Sequence, residues 1–559
     1  MTHKVVIIGA VAAGMSAATR LRRLDEAAHI VVLEAGDHPS FANCGLPYYV
    51  GGVIPERDSL LLHTPQSLAA RFAIDVRVRS RVTAIDRAAR TVTVTLADGS
   101  TYDEAYDSLV LSPGASPIVP DIPGASRALT LRDVSDVDRL AAATADAGTA
   151  LVIGAGFVGL EVAENLAHRG LDVTVVERAP QVLTALDPEL AIRVEQRLTA
   201  RGVRVLTGAS VISLGPADAV VTTADGATEK VAAGVVVAAI GVQPEGSLAA
   251  TAGLALGPRG SILVDHDMRT SDPAIFAVGD AATKTDAFGA EPALIPLANL
   301  ANRHGRRVAD VIAGRPHRAA ASVGTAVVGV FGLTAAATGR SERRLAAEGR
   351  PYRAIHTHPL DHAGYYPGAT QMALKLLVDP ATDKILGAQG VGEAGVERRI
   401  DVIATAMAGG LTASSLADLE LAYAPAYGSA KDPVNMLGYV AENLAAGETP
   451  AVQWRELMDA EDEPVVLDVR TAAEHARGTV TVPWQAPLVM PLDSLRERHH
   501  ELPRDRRIVV HCQVGQRGHT ATRLLRQLGY DAVNLDGGWL TWRDAQASLT
   551  REPVPASAA

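Results

Sequence analysis

The chain of 559 residues contains two cysteines, Cys44 and Cys512, with 48% hydrophobic, 21% charged and 4% aromatic residues and a net charge of −11. Two cysteines exclude a disulfide-stapled scaffold, and without a C-x-x-C pair there is neither a cysteine-based zinc cluster nor a local dithiol. The negative charge argues against nucleic acid or an anionic membrane as the bulk partner, and the length predicts about three to four domains of roughly 150 residues each.

The N-terminal MTHKVVIIGA is a short β-branched run closing in a glycine, not the longer apolar region of a signal peptide. No apolar stretch reaches the roughly 18 residues of a membrane span, so a cytoplasmic protein with free thiols is expected. Residues 4–34, KVVIIGAVAAGMSAATRLRRLDEAAHIVVLE, read as a buried strand, a turn, an amphipathic helix and a second buried strand ending in Glu34. Residues 150–177, ALVIGAGFVGLEVAENLAHRGLDVTVVE, repeat that order and end in Glu177. Each is a βαβ unit carrying a dinucleotide fingerprint. The glycines allow a tight turn and close approach of a pyrophosphate to a helix N-terminus, and the acid accepts ribose hydroxyls. The acid lies 20 residues after the last turn glycine in the first copy (Gly14 to Glu34) and 18 in the second (Gly159 to Glu177). The second turn keeps Gly154, Gly156 and Gly159; the first has Gly9 and Gly14 but Val11 in the middle. Glu177 favours NADH, because a carboxylate repels a 2′-phosphate, while Arg178 beside it keeps NADPH open.

Cys44 stands in Ser40-Phe41-Ala42-Asn43-Cys44-Gly45-Leu46-Pro47-Tyr48, ten residues beyond Glu34. Its thiolate is the reactive form, and a helix N-terminus or a nearby cation is expected to stabilise it. No second cysteine lies nearby, so two chemistries stand open. Cys44 cycles through a mixed disulfide or persulfide with an external thiol, or through a sulfenic acid while reducing peroxide or oxygen.

Further along, Ser112-Pro113-Gly114-Ala115 and Gly241-Val242-Gln243-Pro244 each follow an apolar strand, and TSDPAIFAVGD (270–280) ends in Gly279-Asp280. The last stretch resembles the second flavin motif of the two-dinucleotide flavoproteins, which implies that Asp280 contacts the ribityl chain of FAD. The other two sit where that superfamily's chain crosses between its flavin and nicotinamide halves; at Ser112 the usual alanine-threonine-glycine turn is altered. SFANCGLPYY is similar to the motif of the single-cysteine flavoprotein reductases: coenzyme A disulfide reductases, per- and polysulfide reductases, and NADH oxidases or peroxidases. The match covers roughly residues 1–445. His362-Ala363-Gly364-Tyr365-Tyr366-Pro367-Gly368 and Ala422-Tyr423-Ala424-Pro425-Ala426-Tyr427, leading into Lys431-Asp432-Pro433, favour the coenzyme A branch. There the resemblance implies a homodimer in which Tyr365 and Tyr423 of the partner subunit face the cysteine, a phenol donating to a leaving thiolate. It also implies that Arg20, Arg23, Ser40 and Asn43 hold coenzyme A, with Arg23 suited to a phosphate. His356, His358 and His362 lack regular metal-ligand spacing and are read as a strand or loop cluster, so no metal is expected.

Residues 322–445 mix strands and helices without a phosphate loop, where the superfamily has its dimerisation domain. VAENLAAGETPAVQ (440–453) reads as a helix end and linker. Beyond it IVVHCQVGQR (508–517) is a buried strand turning at Cys512 into a loop that opens a helix. This is similar to the rhodanese active loop: its N–H groups and Arg517 would stabilise a thiolate and then a persulfide anion. A phosphatase has five residues between Cys and Arg; here there are four. Asp468-Val469-Arg470, Glu474, Gly537-Gly538 and Trp542 match other rhodanese landmarks, whereas GTVTVPWQAPLVMP departs from the usual pattern.

The expected fold is therefore α/β, with two Rossmann-like dinucleotide-binding domains, an α+β dimerisation domain and a C-terminal α/β rhodanese domain. The boundaries read as 1–120 and 246–321 for FAD, 121–245 for NAD(P), 322–445 for dimerisation and 446–559 for rhodanese. The expected activity is that of an FAD-dependent NAD(P)H enzyme reducing coenzyme A disulfide, coenzyme A persulfide or polysulfide at Cys44, with a persulfide carrier at Cys512. An NADH oxidase or peroxidase, and a sulfurtransferase with a regulatory flavoprotein half, are the alternatives.

Overall fold

A computed structural model describes residues 3–289, 291–315 and 320–550, and the chain divides into two units. The first comprises Met1–Arg178 and Ala209–Gly324, the second Ala179–Gly208 and Thr325–Ala559. No helix among the described residues is long and apolar enough to cross a membrane.

In the first unit the two glycine-turn segments each found a parallel sheet. The strands are continuous β-branched and aliphatic runs buried on both faces, as parallel sheets flanked by helices require. One sheet runs Ile275–Ala277, Ser108–Leu111, Lys4–Ile8, His29–Leu33, Asp75–Arg77, so a strand from late in the chain completes the sheet of the first glycine turn. In the other, Asp172–Glu177, Thr149–Ile153, Val235–Ala238 and Ala128–Leu129 are neighbours in that order. Two crossing strands, Ala115–Pro117 and Val242–Pro244, pair antiparallel at the two turns singled out in the sequence. The helices Ala12–Leu24 and Ala298–Ile312 pack closely, because any side chain at Gly305 would strike the carbonyl of Ala13.

The second unit contains two sheets. The antiparallel one has the order Ala326–Val330, Leu333–Gly339, Ile385–Gly392, Ala373–Val378, Arg353–Thr357, with helices Val396–Gly409 and Pro433–Ala445 on its apolar core. The parallel one is Ala451–Val452, Ala532–Leu535, Ile508–His511, Val465–Asp468, Leu488–Val489, covered on its two faces by separate cores. Mixed α/β architecture with two dinucleotide-type sheets, an α+β domain and a C-terminal parallel domain is thus what the sequence predicts.

Candidate functional site

The two glycine turns of the first unit are built alike. Gly9 and Gly154 adopt φ of +95° and +104°, and a Cβ on either would strike a carbonyl, that of Ser112 or Ala239. The strand-end acids fold back onto the turns. Glu34 accepts from the Ala10 N–H at 2.7 Å and the Gly36 N–H at 2.8 Å, and Glu177 from the Ala155 N–H at 2.7 Å. A carboxylate has about four acceptor positions, so these bonds orient each acid and still accommodate ribose hydroxyls.

Gly156 is different. Its φ is −79°, open to any residue, and a Cβ there would meet nothing within 4 Å. Neither strain nor packing demands glycine; a group approaching the backbone from outside, as a pyrophosphate does, would. Val11 takes that position in the first turn and caps its helix without a side-chain bond. The fit to a nucleotide there rests instead on Asp280. Its Oδ1 is buried without a hydrogen-bond partner, and burial pushes its carboxyl up against the opposing pull of Lys284. A buried acceptor of this kind suits a hydroxyl-bearing ligand such as a ribityl chain. Ser112 explains the altered turn: its Oγ donates to the carbonyls of Ile8 (2.6 Å) and Gly9 (3.1 Å), closing the loop internally. Lys284, which sequence reasoning passed over, is buried with Nζ donating to the carbonyls of Gly279 (2.5 Å) and Ala282 (2.8 Å). Burial pulls it down to about 8.

Cys44 is exposed, in the single turn Asn43–Gly45 that leads into the five-residue helix Leu46–Val50. The segment is tied to both glycine turns. The Ser40 N–H donates to the Ala10 carbonyl at 2.6 Å, while the Tyr48 hydroxyl lies 3.4 Å from Glu161 on the helix of the second turn. Arg169 on that helix's C-cap donates to the Val50 carbonyl at 2.8 Å, and Gly51 leaves room for Asn165. The expected cation or helix N-terminus at Cys44 is corrected here. The helix that follows is too short to carry one, and burial together with the carboxylates of Glu161 and Asp280 raises the thiol. Burial and Glu161 likewise push Tyr48 up to about 12. Glu161 is legible only in hindsight, as a charge within the otherwise apolar run FVGLEVA. Because Glu161 opposes the thiolate, Glu161→Gln is expected to move the inflection of Cys44 alkylation by iodoacetamide to lower pH. An unchanged inflection, measured by peptide mass spectrometry, would count against this coupling.

The four residues assigned to coenzyme A fall into two pairs. Ser40 and Asn43 lie on the cysteine segment, Ser40 with φ of +51°. Arg20 and Arg23 share one face of the first helix. Arg20 directs Nε (3.0 Å) and Nη2 (2.6 Å) to Asp310 of the neighbouring helix, whereas Arg23 is exposed.

In the second unit the two tyrosine stretches meet. The Ala363 N–H donates to the Pro425 carbonyl, and buried Arg399 donates to the carbonyl of Asp361 (2.7 Å) and to Asp432 (3.1 Å), the N-cap of Pro433–Ala445. The Tyr365 and Tyr423 hydroxyls lie 2.9 Å apart, and the side chains are 76% and 47% exposed. The bond to Tyr365 raises Tyr423.

Cys512 directly follows the strand Ile508–His511 and is completely buried, and the helix Gln516–Gln527 starts four residues later. Trp539 N–H donates to the Cys512 carbonyl at 2.8 Å and Leu540 N–H to that of Gln513 at 3.1 Å. Gly538, at φ +62°, is where this turn touches the loop, since a Cβ would press on the Cys512 carbonyl. Arg517 is gripped by both oxygens of Glu474, so its charge reaches the loop already paired. Fully buried Arg470 binds Asp468 through Nη2 at 2.8 Å, supports Gln513 at 3.1 Å and lies 5.1 Å from the Trp539 ring. His356 and His358 are buried and His362 lies beside Asp361; among the described residues no His, Cys, Asp or Glu group is arranged to hold a metal.

Residues 3–305 match the pyridine nucleotide-disulphide oxidoreductase family, 325–433 its dimerisation domain and 451–545 the rhodanese-like domain. A coenzyme A disulfide reductase of Staphylococcus haemolyticus is 34% identical over 446 residues, 79% of this chain and 100% of that protein. The crystal structure of reduced Bacillus anthracis CoADR-RHD is 44% identical with a TM-score of 0.95, covering 99% of each chain. A NAD-dependent persulfide reductase from A. fulgidus is 37% identical with a TM-score of 0.89, covering 96% of this chain and 100% of that one.

Proposed function

Because the chain belongs to the pyridine nucleotide-disulphide oxidoreductase family, we propose that it is an FAD- and NAD(P)H-dependent reductase of coenzyme A disulfide, coenzyme A persulfide or polysulfide, working through Cys44. Cys512 carries sulfane sulfur as a persulfide. The observation that carries this reading is the isolation of Cys44. It is exposed beside Asp280 and the second glycine-turn helix, with no other cysteine in its unit, so its sulfur partner must arrive from outside. The relatives named for coenzyme A disulfide and persulfide reduction, each matched over its whole length, support the choice of substrate class.

Asp280 and Glu34 would hold FAD, Glu177 and the Gly154–Gly159 turn the nicotinamide nucleotide. Bound FAD supplies the two-electron relay from the nicotinamide to sulfur. The Cys44 thiolate attacks coenzyme A disulfide, forming a Cys44–coenzyme A disulfide and releasing one thiolate. Cleavage of that bond by two electrons and one proton frees the second thiol and restores Cys44. The sum consumes one NAD(P)H and one proton per two thiols. With coenzyme A persulfide the same electrons give one thiol and one hydrogen sulfide. Ser40, Asn43 and Arg23 orient the coenzyme, and in a homodimer Tyr365 and Tyr423 of the partner subunit protonate the leaving sulfur. Arg517, Arg470 and the loop N–H groups stabilise the Cys512 persulfide.

The test is anaerobic NAD(P)H consumption with coenzyme A disulfide and coenzyme A persulfide, alongside oxygen uptake in air. Mass spectrometry under non-reducing conditions then looks for a coenzyme A adduct on Cys44 and an added sulfur on Cys512. Oxygen uptake equal to NAD(P)H consumption at disulfide-like rates would replace this reading with the oxidase.

A further inference from the structure

Behind the Cys512 loop, within the second unit, lies a buried chain of charges. Asp536 follows the strand Ala532–Leu535 and precedes Gly537, Gly538 and Trp539, the turn hydrogen-bonded to the Cys512 and Gln513 carbonyls. On its far side Asp536 accepts from the His356 backbone N–H at 3.0 and 3.2 Å and from His356 Nδ1 at 2.6 Å. A Cβ on Gly537 would strike the His356 side chain, so turn and histidine are in direct contact. His356 Nε2 donates to Glu189 at 3.1 Å. Glu189 also binds Lys375, which lies 2.9 Å from Asp187 and 3.1 Å from Glu342. His356, Asp536, Glu189 and Lys375 are all at least 95% buried.

The charge count fixes the state of His356. Lys375 already serves three carboxylates, Asp187, Glu189 and Glu342. A neutral imidazole would have to aim one lone pair at either Glu189 or Asp536, whereas an imidazolium donates to both. Burial pulls His356 down, yet the Asp536 bond and charge and the Glu189 bond outweigh it and lift the ring to about 9, with Lys375 opposing. His358, two residues on, is the contrast. Its Nδ1 lies 3.5 Å from an Arg193 nitrogen and its Nε2 2.8 Å from Thr541 Oγ1, and burial and Arg193 hold it neutral.

We propose that His356 is a positioning residue for sulfur transfer at Cys512: anchored on Glu189, it fixes Asp536 and so holds the Gly537–Gly538 turn against the Cys512 loop. The inference rests on Cys512 being the sulfur-carrying nucleophile. A loop displaced by about 1 Å costs on the order of 100-fold in a positioned reaction.

Full-length His356→Gln and Asp536→Asn are compared with the unaltered protein in sulfur transfer from thiosulfate to cyanide, with coenzyme A disulfide reduction measured in the same samples. The expected result is a roughly 10- to 100-fold fall in sulfur-transfer kcat, with KM for thiosulfate and coenzyme A disulfide turnover within about twofold. In the unaltered protein this kcat falls as pH rises through about 9, a limb that His356→Gln lacks. The groups facing that proton are Glu189 from the helix Pro188–Ala200, Lys375 from Ala373–Val378 and Asp536 from the turn, with Asp187, Glu342 and His358 next to them. Unchanged sulfur transfer in both variants overturns the proposal, and so does an equal fall in both activities. Sulfur transfer that survives Cys512→Ser instead overturns the reading on which it rests.

Discussion

Cys44→Ser is expected to lower NAD(P)H-dependent coenzyme A disulfide reduction by at least ~10³-fold while leaving the protein yellow and thiosulfate-to-cyanide sulfur transfer intact. A serine hydroxyl in the Asn43–Gly45 turn occupies the same space but forms no bond to sulfur under two-electron reducing conditions. Its unit contains no second thiol. The groups proposed to bind the nucleotides, Glu34, Glu177 and Asp280, are untouched, so the flavin colour should still bleach on adding NADH. The separation of the two readouts is the informative part. If NADH-dependent sulfide release survives Cys44→Ser, electrons reach sulfur elsewhere and the proposed chemistry fails.

Lys375→Met should cost about 3–5 kcal/mol of stability, read as a lowered midpoint in denaturant or heat. Lys375 is fully buried among Asp187, Glu189 and Glu342, and methionine keeps its volume while removing its charge. What remains is three carboxylates with His356 as their nearest cation. The loss must depend on pH in a fixed direction. Lys375 and His356 hold Glu189 well below the ordinary carboxylate range despite its burial. A carboxylate depressed in the folded state contributes stability above its unfolded value and loses it as pH falls through the folded one. The gap between the two proteins is therefore widest near neutrality and narrows in acid. Glu342, already raised by burial and by its neighbours, is the first to take up a proton in the variant. A gap that is constant from neutrality to acid would contradict this account.

Much of the architecture is legible in the sequence because it is local. The strand, turn, helix and strand of residues 4–34 and 150–177 carry their periodicity, glycines and acids within about 30 residues, and the loop from Cys512 to Arg517 is contiguous. Tyr365 and Tyr423 were reachable by resemblance, although 58 residues separate the two hydroxyls that meet at 2.9 Å. What no local pattern shows is charge brought together from distant segments. Glu189, Lys375, His356 and Asp536 come from four separate stretches of chain, and of these only His356 stands out in the sequence, as part of a histidine cluster. Cys44 illustrates the same limit: its position was readable, but the carboxylates that raise its thiol come from residues 161 and 280. Arg20 shows the same limit, since a cation that the resemblance assigns to coenzyme A is paired with Asp310 of a distant helix.

Cys512 is completely buried, with its carbonyl held by the Trp539 N–H, so the bulk of an incoming sulfur donor matters at that sulfur. A thiol sitting on a folded surface needs the loop to move furthest, whereas a small linear species such as thiosulfate, hydropolysulfide or the pantetheine arm of a coenzyme needs the smallest opening. Under the proposed function, sulfur loaded onto Cys512 would arrive on a small donor of this kind. The rate at which Cys512 turns over would then follow the concentration of that donor.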